Sequence, residues 1–321
     1  MLKVISKFDL QCAYERIRKF ALKTPFVHNK SLSELLGCDV FLKLEQFQPI
    51  GAFKIRGVTN FVLNLQPQEL QKGLVTHSSG NHAQAVAYVA DKLEVQAHIV
   101  MPENASSFKK LRVKSLGANL IESGPTYQDR INTCESVQNK TSAVYLPPFD
   151  HPWIISGQAT TALEMMAEIG DLDAIITPLG GGGLLSGTAL AAHYFSEGKT
   201  RVIGVEPELA NDGYLGLQRD ERITEMQTTT IADGLRTVVG EMPFRIISKH
   251  VDQILTVSEE EIIKAFYLIP ERTKYVAETS SSVTIAALAG YKQQFRNKKV
   301  GVVLTGGNVD FTALPPYPER V

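Results

Sequence analysis

The chain is 321 residues long, with 44% hydrophobic residues, 21% charged residues and a formal net charge of -1. A chain of this length can form two domains, and its balanced charge lacks the basic excess expected of a protein that binds nucleic acid or an anionic membrane. The cysteines are odd in number and form no CxxC pair, and no run of 18 apolar residues occurs, so we expect a cytoplasmic protein.

The first predicted elements precede residue 73. Residues 31–34 have capping-box spacing at the start of a helix that Gly37 would end. Residues 43–47 have the pattern of an extended segment, and residues 49–51 that of a turn.

Between residues 73 and 148, short β-branched runs alternate with helical patterns. The predicted strands are 74–76, 97–101, 120–121 and 143–146, and the predicted helices are 83–93, 107–116 and 127–137. Alternation at this spacing is typical of βαβ units on a parallel sheet.

A second alternating region follows residue 150. Its predicted strands are 174–178, 202–205 and 300–304, and its predicted helices are 158–169, 184–195, 259–267 and 283–291. We therefore predict an α/β fold of two open, twisted sheets with flanking helices. Residues 1–66 and 152–321 would form a large domain, and residues 73–150 a small domain inserted into it.

Four consecutive glycines follow a predicted apolar strand and open a helix: Gly180, Gly181, Gly182 and Gly183. Backbone N–H groups without Cβ atoms can approach a phosphate closely, and the helix N-terminus adds positive potential. A dinucleotide is the alternative ligand, because Gly181, Gly183 and Ser186 nearly fit G-x-G-x-x-G. In addition, Glu206 ends the next strand, where dinucleotide-binding folds place an acid that binds ribose. A tight turn alone would need only one glycine.

Lys54 lies after a turn at the start of a predicted helix, in the segment Gly-Ala-Phe-Lys-Ile-Arg-Gly at 51–57. An ammonium group among apolar neighbours at the positive end of a helix dipole loses part of its preference for the charged form, and a neutral amine attacks aldehydes. A solvated surface lysine fits the same local sequence. Residues 76–82, Thr-His-Ser-Ser-Gly-Asn-His, join a strand to a helix and could bind a carboxylate or serve only as a helix cap.

Taken together, four motifs resemble the serine/threonine dehydratase and serine racemase family of fold-type II pyridoxal phosphate enzymes, which includes hydroxyaspartate dehydratases and has a fold like tryptophan synthase β. The motifs are the segments 51–57 and 78–82, the four glycines, and Thr-Gly-Gly-Asn at 305–308. They occur in the order of the family over nearly the whole chain. The resemblance implies pyridoxal 5'-phosphate as cofactor, a small hydroxy amino acid as substrate, and a homodimer.

The resemblance also implies roles for residues around the cofactor. Lys54 would carry it as a Schiff base and take the α-proton, and the four glycines would hold its phosphate. Asn81 would bond its phenolic oxygen, and Phe53 would pack against its ring. Thr305 would face the pyridine nitrogen, where a hydroxyl makes the ring a milder electron sink than a carboxylate would.

On the substrate side, Ser78, Ser79 and His82 resemble the loop that binds the substrate carboxylate. Ser79 also matches the hydroxyl that serves the opposite face of the α-carbon in serine racemases. Arg130 lies where racemases and hydroxyaspartate dehydratases have an arginine that can meet a second carboxylate, although an exposed helix arginine would look the same.

Residues 206–212, Glu-Pro-Glu-Leu-Ala-Asn-Asp, resemble the cation site of the metal-activated members. The ligands would be the carboxylates of Glu206 and Asp212 and the carbonyl of Ala210. Oxygen ligands suit Mg²⁺, Ca²⁺ or Mn²⁺. An acidic surface loop is the alternative.

The chain departs from the family pattern at residues 278–282. Many relatives read Glu-Pro-Ser/Thr-Gly/Ala there, whereas this chain reads Glu-Thr-Ser-Ser-Ser. The resemblance therefore does not assign the residues of the substrate-side wall of the pocket. We expect elimination of water from L-serine, L-threonine or 3-hydroxyaspartate, giving a 2-oxo acid and ammonia. Serine racemase is the alternative, and a NAD-dependent dehydrogenase is the competitor from another reaction class.

Overall fold

The computed structural model describes residues 4–78 and 80–318. Its strands, numbered β1 to β10, are Phe26–His28, Asp39–Leu44, Leu74–His77, Ala97–Pro102, Asn119–Ser123, Val144–Tyr145, Ala174–Pro178, Arg201–Pro207, Gln253–Val257 and Lys299–Leu304.

The helices are numbered α1 to α14 in chain order. They are Lys7–Ile17, Lys30–Leu36, Lys54–Val62, Pro67–Leu70, Asn81–Lys92, Ser107–Ser115, Tyr127–Thr141, Pro152–Ile169, Gly183–Phe195, Asp212–Arg219, Glu241–His250, Glu259–Thr273, Thr279–Gly290 and Lys292–Phe295.

The strands form two sheets. The larger has six strands in the order β1-β2-β10-β7-β8-β9, and the smaller has four in the order β5-β4-β3-β6. Apart from β1, which runs antiparallel to β2, neighbouring strands are parallel. The α/β class with two sheets and flanking helices is thus confirmed, while the division into two domains stays a prediction.

Helices cover both faces of the larger sheet. In β7, Ile176 packs into a core with α12 and α13, whereas its neighbour Ile175 packs into a core with α8 and α9. Successive strand residues point to opposite faces, so a strand buried on both sides is largely apolar. A separate core joins the smaller sheet to α3 and α5.

Two local predictions near the N-terminus are wrong. Helix α2 is capped by Asn29, whose side chain accepts the Leu32 N–H, and not by a residue within 31–34, although Gly37 ends the helix with φ +75° as expected. Residues 45–47 form a 3-10 turn after β2 and are not extended. No helix in residues 4–78 or 80–318 combines the length and the apolarity needed to cross a membrane.

A cluster of four buried charges lies beneath α3, and no local sequence pattern indicates it. Arg56 donates to Glu45 from Nε and Nη2, both at 2.8 Å, and to Glu164 from Nη1 and Nη2, both at 2.7 Å. Lys43 donates to Glu164 at 2.6 Å and to the Thr24 carbonyl at 2.6 Å. Two cations thus balance two carboxylates, and the cluster fixes α3, whose first residue is Lys54.

Candidate active site

A cavity of about 530 Å³ lies where the carboxyl ends of strands from both sheets meet, the place where open α/β sheets bind ligands. Most of the predicted site residues line it: Phe53, Lys54, Ser78, Asn81, His82, Arg130, Gly180, Gly181, Gly182, Gly183 and Thr305. Ser79 lies outside the described residues. The residues of the predicted metal site are absent from the described lining of this cavity.

Lys54 enters the cavity from the first residue of α3. Its Nζ donates to the Pro148 carbonyl at 3.0 Å and lies 5.3 Å from the centre of the Phe53 ring. Desolvation by the surrounding protein lowers the pKa of Lys54 to about 8, and the negative charge of Glu278 opposes this. A fraction of the Lys54 side chain is therefore the neutral, nucleophilic amine near neutral pH.

Backbone hydrogen bonds hold the lysine segment against the chain that follows β10. Phe53 N–H donates to the Thr305 carbonyl at 2.9 Å, and Gly307 N–H donates to the Gly51 carbonyl at 3.0 Å. Two motifs that are about 250 residues apart in sequence therefore form one wall of the cavity.

The four glycines connect β7 to α9, whose first residue is Gly183. Gly182 has φ +88°, a left-handed conformation that favours glycine. A Cβ on Gly181 would lie 2.3 Å from the ring of Phe149. The glycines are thus required by the backbone conformation and by packing against Phe149. They also line the cavity at the N-terminus of α9, where backbone N–H groups can stabilise an anion.

The Asn81 amide is oriented by its neighbours. Its Oδ1 accepts a hydrogen bond from Asn308 Nδ2 at 2.9 Å, which leaves Nδ2 as the donor; this group meets the two carboxylate oxygens of Glu278 at 2.9 and 3.1 Å. Burial and the nearby charge of Asp233 raise the pKa of Glu278 to about 7. The sequence interpretation assigned no role to Glu278, because the residues that follow it break the family pattern.

Thr305 is buried at the end of β10 and contacts a second hydroxyl. Its Oγ1 lies 2.9 Å from Oγ of Ser281. Ser281 belongs to the segment 278–282 where the chain departs from the family pattern, and sequence reasoning assigned it no role either.

Two histidines on the cavity wall, His77 and His82, have lowered pKa values. His82 Nε2 lies 3.2 Å from the Leu146 carbonyl, which can only accept, so this nitrogen carries the proton. Burial and then the charge of Lys54 lower the pKa of His82 to about 3. For His77, 3.0 Å from the Tyr145 hydroxyl, burial and the charge of Arg130 lower the pKa to about 4. Arg130 is thus close to His77, on the cavity wall and not on a solvated face.

Residues 17–306 match the family model described as pyridoxal-phosphate dependent enzyme. This chain belongs to that family. The family resemblance seen in the sequence and the prediction of a pyridoxal phosphate enzyme are confirmed. The NAD-dependent alternative is wrong, and the structure agrees, because the Glu206 carboxylate accepts the N–H groups of Gly213 and Tyr214 at 3.0 and 2.8 Å and is absent from the described cavity lining.

Known members of the pyridoxal phosphate family resemble the chain over nearly its whole length. It is 42% identical over 303 residues to the L-threo-3-hydroxyaspartate ammonia-lyase of Saccharomyces cerevisiae, covering 94% of this chain and 93% of that one. It is 40% identical to a serine racemase of Dictyostelium discoideum, covering 95% of each. The structure of maize serine racemase superposes with a TM-score of 0.94 at 36% identity, covering 97% of this chain and 95% of that one.

The residues proposed as metal ligands lie at the far end of β8, and all three are buried. Asp212 Oδ2 accepts the Val239 N–H at 2.7 Å. Burial raises the pKa of Glu206 well above its ordinary value, and the charge of Asp212 raises it further. Glu206 and Asp212 are therefore not surface carboxylates, whereas Glu208 between them is exposed. No cluster of three or more His, Cys, Asp or Glu side chains with metal-site geometry occurs in the described ranges.

Proposed function

We propose that this enzyme removes water from a small 3-hydroxy amino acid, with Lys54 as the residue that holds pyridoxal 5'-phosphate. The observation that carries the proposal is the pairing of an amine of lowered pKa with a glycine-lined helix N-terminus in one cavity. A cofactor with an aldehyde at one end and a phosphate at the other requires both groups.

The cavity residues fit each part of this cofactor. The N–H groups at the start of α9 would hold the phosphate, and Asn81, which lines the cavity, would bond the phenolic oxygen through Nδ2 in place of one of its contacts with Glu278. Phe53 would pack on the ring and Thr305 would face its nitrogen. When bound, the cofactor draws electrons from the α-carbon of an amino acid and makes its hydrogen acidic.

Lys54 is the residue placed to move protons. A pKa of about 8 leaves a fraction of the amine neutral near neutral pH, and a neutral Nζ can accept the α-proton. Departure of the β-hydroxyl as water requires a proton, which Lys54 or the cofactor phosphate would return. His82 stays neutral, because burial disfavours its charged form.

The substrate is proposed to be 3-hydroxyaspartate, with L-serine and L-threonine as the smaller alternatives. Ser78, Ser79 and His82 would bind the α-carboxylate, His82 through its backbone N–H in the first turn of α5, because its neutral ring has its proton on Nε2. The position of Arg130 on the cavity wall supports a second carboxylate in the substrate, because guanidinium pairs with carboxylate through two parallel hydrogen bonds. The similarity to the yeast L-threo-3-hydroxyaspartate ammonia-lyase supports the same choice.

Keto acid release from each amino acid tests the proposal. Lys54→Arg should abolish turnover of all three, whereas Lys72→Arg, at an exposed lysine, should not. Arg130→Gln should raise KM for 3-hydroxyaspartate by about tenfold or more while that for L-serine changes little. Lys140→Gln, on the exposed side of the same helix α7, is the matched control. Keto acid from none of the substrates, with cofactor bound, would refute the function.

Serine racemase activity is the second candidate, supported by the adjacent Ser78 and Ser79 and by similarity to the serine racemase of Dictyostelium discoideum. Ser79 would serve the face of the α-carbon opposite Lys54. D-serine formed from L-serine should disappear in Ser79→Ala while some keto acid formation persists. No D-serine from the unaltered enzyme would remove this candidate.

We also propose a divalent cation, Mg²⁺, Ca²⁺ or Mn²⁺, bound by Glu206, Asp212 and the Ala210 carbonyl. Its support is the burial of two carboxylates that repel each other, since a cation would offset both the desolvation and the repulsion. A homodimer and a cytoplasmic location stay predictions. Light scattering on a sizing column tests the former.

A further inference from the structure

Glu278 is a buried carboxyl group on the cavity wall, and the proposed function gives it no role. Both of its side-chain oxygens contact Asn81 Nδ2, at 2.9 and 3.1 Å. Its backbone N–H donates to the Gly306 carbonyl at 2.9 Å. A Cβ on Gly306 would lie 2.7 Å from Glu278 Oε1, so the carboxyl group packs closely against the chain that follows β10. Glu278 is therefore held beside Asn81 from two sides.

The Asn81 amide has a defined orientation. Asn308 Nδ2 donates to the Ile50 carbonyl and to Asn81 Oδ1, both at 2.9 Å. A backbone carbonyl can only accept, so the contact with Ile50 fixes which end of the Asn308 amide is the donor. Asn81 therefore presents Nδ2 to Glu278, and the same nitrogen is the donor proposed for the phenolic oxygen of the cofactor. Two oxygens that share one nitrogen at hydrogen-bond distance lie roughly 5 Å apart.

The charges that act on Glu278 come from three other parts of the fold. Burial and then the charge of Asp233, in the turn 233–235, raise the pKa of Glu278 to about 7. The hydrogen bond from Asn81 and the charge of Lys109 on α6 oppose this rise, but Lys109 is itself paired with Asp233. The charge of Glu278 also acts on Lys54 at the start of α3. An additional negative charge near Glu278 would therefore favour its protonated form.

We propose that Glu278 takes up a proton when the cofactor binds, because the phenolic oxygen of the cofactor replaces one of the Glu278 oxygens at the Asn81 amide. The inference rests on the proposed function, in which Asn81 bonds that oxygen. An ionised phenolic oxygen and an ionised carboxylate roughly 5 Å apart in a buried site repel each other. A proton on Glu278 removes this repulsion, and the two N–H groups of Asn81 then bond one oxygen each. The negative charge of the cofactor phosphate acts in the same direction.

The proposal gives cofactor affinity a pH dependence of defined sign. Below about pH 7 Glu278 already has its proton, so no proton has to be taken up. At higher pH the proton must come from solution, and the affinity should fall by up to about tenfold per pH unit until the pH reaches the raised pKa of Glu278 in the complex. Lys54 acts in the opposite sense, because its neutral amine, which forms the Schiff base, increases with pH. A ligand without the aldehyde separates the two effects.

The experiment measures binding of pyridoxine 5'-phosphate, which has the phenolic oxygen and the phosphate but an alcohol in place of the aldehyde. Calorimetric titrations in buffers of different ionisation enthalpy give the number of protons taken up, and a series from about pH 6.5 to about pH 9 gives Kd. Glu278→Gln keeps the size of the side chain but cannot ionise. Glu168→Gln is the matched control, because Glu168 pairs with Lys23 at 2.9 Å and is absent from the described cavity lining.

At about pH 8 the unaltered protein and Glu168→Gln should take up about half a proton or more beyond Glu278→Gln. They should also lose about tenfold in affinity relative to Glu278→Gln between about pH 7 and about pH 8.5. Asp233→Asn, which keeps the Glu278 carboxyl group but removes a negative charge beside it, should start this loss at lower pH.

Equal proton uptake with and without the Glu278 carboxyl group would overturn the inference and leave the proposed function intact. A pH profile that Asp233→Asn does not move would overturn it too, and this second variant decides the question if Glu278→Gln does not fold. The proposed function is checked separately, by adding pyridoxal phosphate to the unaltered protein. No Schiff-base absorbance in that mixture would overturn the proposed function itself.

Discussion

Replacing Arg56 by methionine would test how much the buried charge cluster contributes to stability. The change removes both hydrogen-bonded pairings of the guanidinium and leaves Glu45 and Glu164 buried with Lys43 as the remaining cation of the four. Removing one partner of a buried ion pair typically costs about 3–5 kcal/mol, because the other charge stays buried without compensation, so we expect a loss of about 4 kcal/mol in the free energy of unfolding. For a chain of this size that corresponds to a melting temperature lower by roughly 8 °C.

The cost should depend on pH in a defined direction. Burial by itself would raise the pKa of Glu45, but the charge and hydrogen bonds of Arg56 lower it below its ordinary value. A carboxylate with a lowered pKa stabilises the folded state above its ordinary pKa and loses that contribution as pH falls. In the variant a buried carboxyl can take up a proton instead. The difference between the two proteins should therefore shrink as pH falls from about 7 toward about 4.

Thermal unfolding followed by circular dichroism, with the cofactor concentration fixed, measures this effect. Arg18→Met is the control, because Arg18 pairs with Glu15 at 3.0 Å with both side chains 68% exposed, and its loss should cost less than about 1 kcal/mol. The double variant Arg56→Met with Glu45→Gln restores one cation to one carboxylate and should recover part of the stability. The reasoning is refuted if Arg56→Met costs no more than Arg18→Met, or if the second change adds its own loss.

Three further predictions concern the site itself. Gly181→Ala should greatly weaken cofactor binding, because its Cβ would lie 2.3 Å from the Phe149 ring; adding Phe149→Ala should restore part of the binding in an absorbance titration, and no recovery would show that the glycine is needed for another reason. In the cofactor-free protein, the rate at which an aldehyde labels Lys54 should rise with pH and level off above about pH 8; peptide mass spectrometry follows the labelling, and a rate that still rises at about pH 10 would contradict the lowered pKa. Mg²⁺ should raise the melting temperature of the unaltered protein, because a ligand of the folded state stabilises it, but not that of Asp212→Asn; equal shifts would place the ion elsewhere.

The parts of the molecule that the sequence predicted well are those governed by local patterns. The spacing of apolar residues and of turn residues predicted the parallel strands, because this signal comes from neighbouring residues. The glycine run after β7 is a local signal too, and the anion site inferred from it stays a prediction. The largely apolar strand around Ile175 and Ile176 was recognisable for the same reason. A role for Lys54 could be predicted only together with the motifs elsewhere in the chain.

The features that sequence reasoning missed depend on contacts between distant residues. Arg56 and Glu164 are 108 residues apart, and no local pattern marks either as buried. Glu278 contacts Asn81 across 197 residues, and Ser281 lies 2.9 Å from the Thr305 hydroxyl across 24 residues. The Asn29 cap was missed because several polar residues in succession could each start α2.

The backbone bonds between residues 51–53 and 305–307 have a consequence for the order in which the enzyme is made. During synthesis, Lys54, residues 78–82 and the four glycines all leave the ribosome before β10 and Thr305 have been synthesised. Until then, one wall of the cavity is missing, and the residues just before α3 lack these backbone hydrogen bonds. We therefore expect cofactor loading to be a late event that follows completion of the larger sheet.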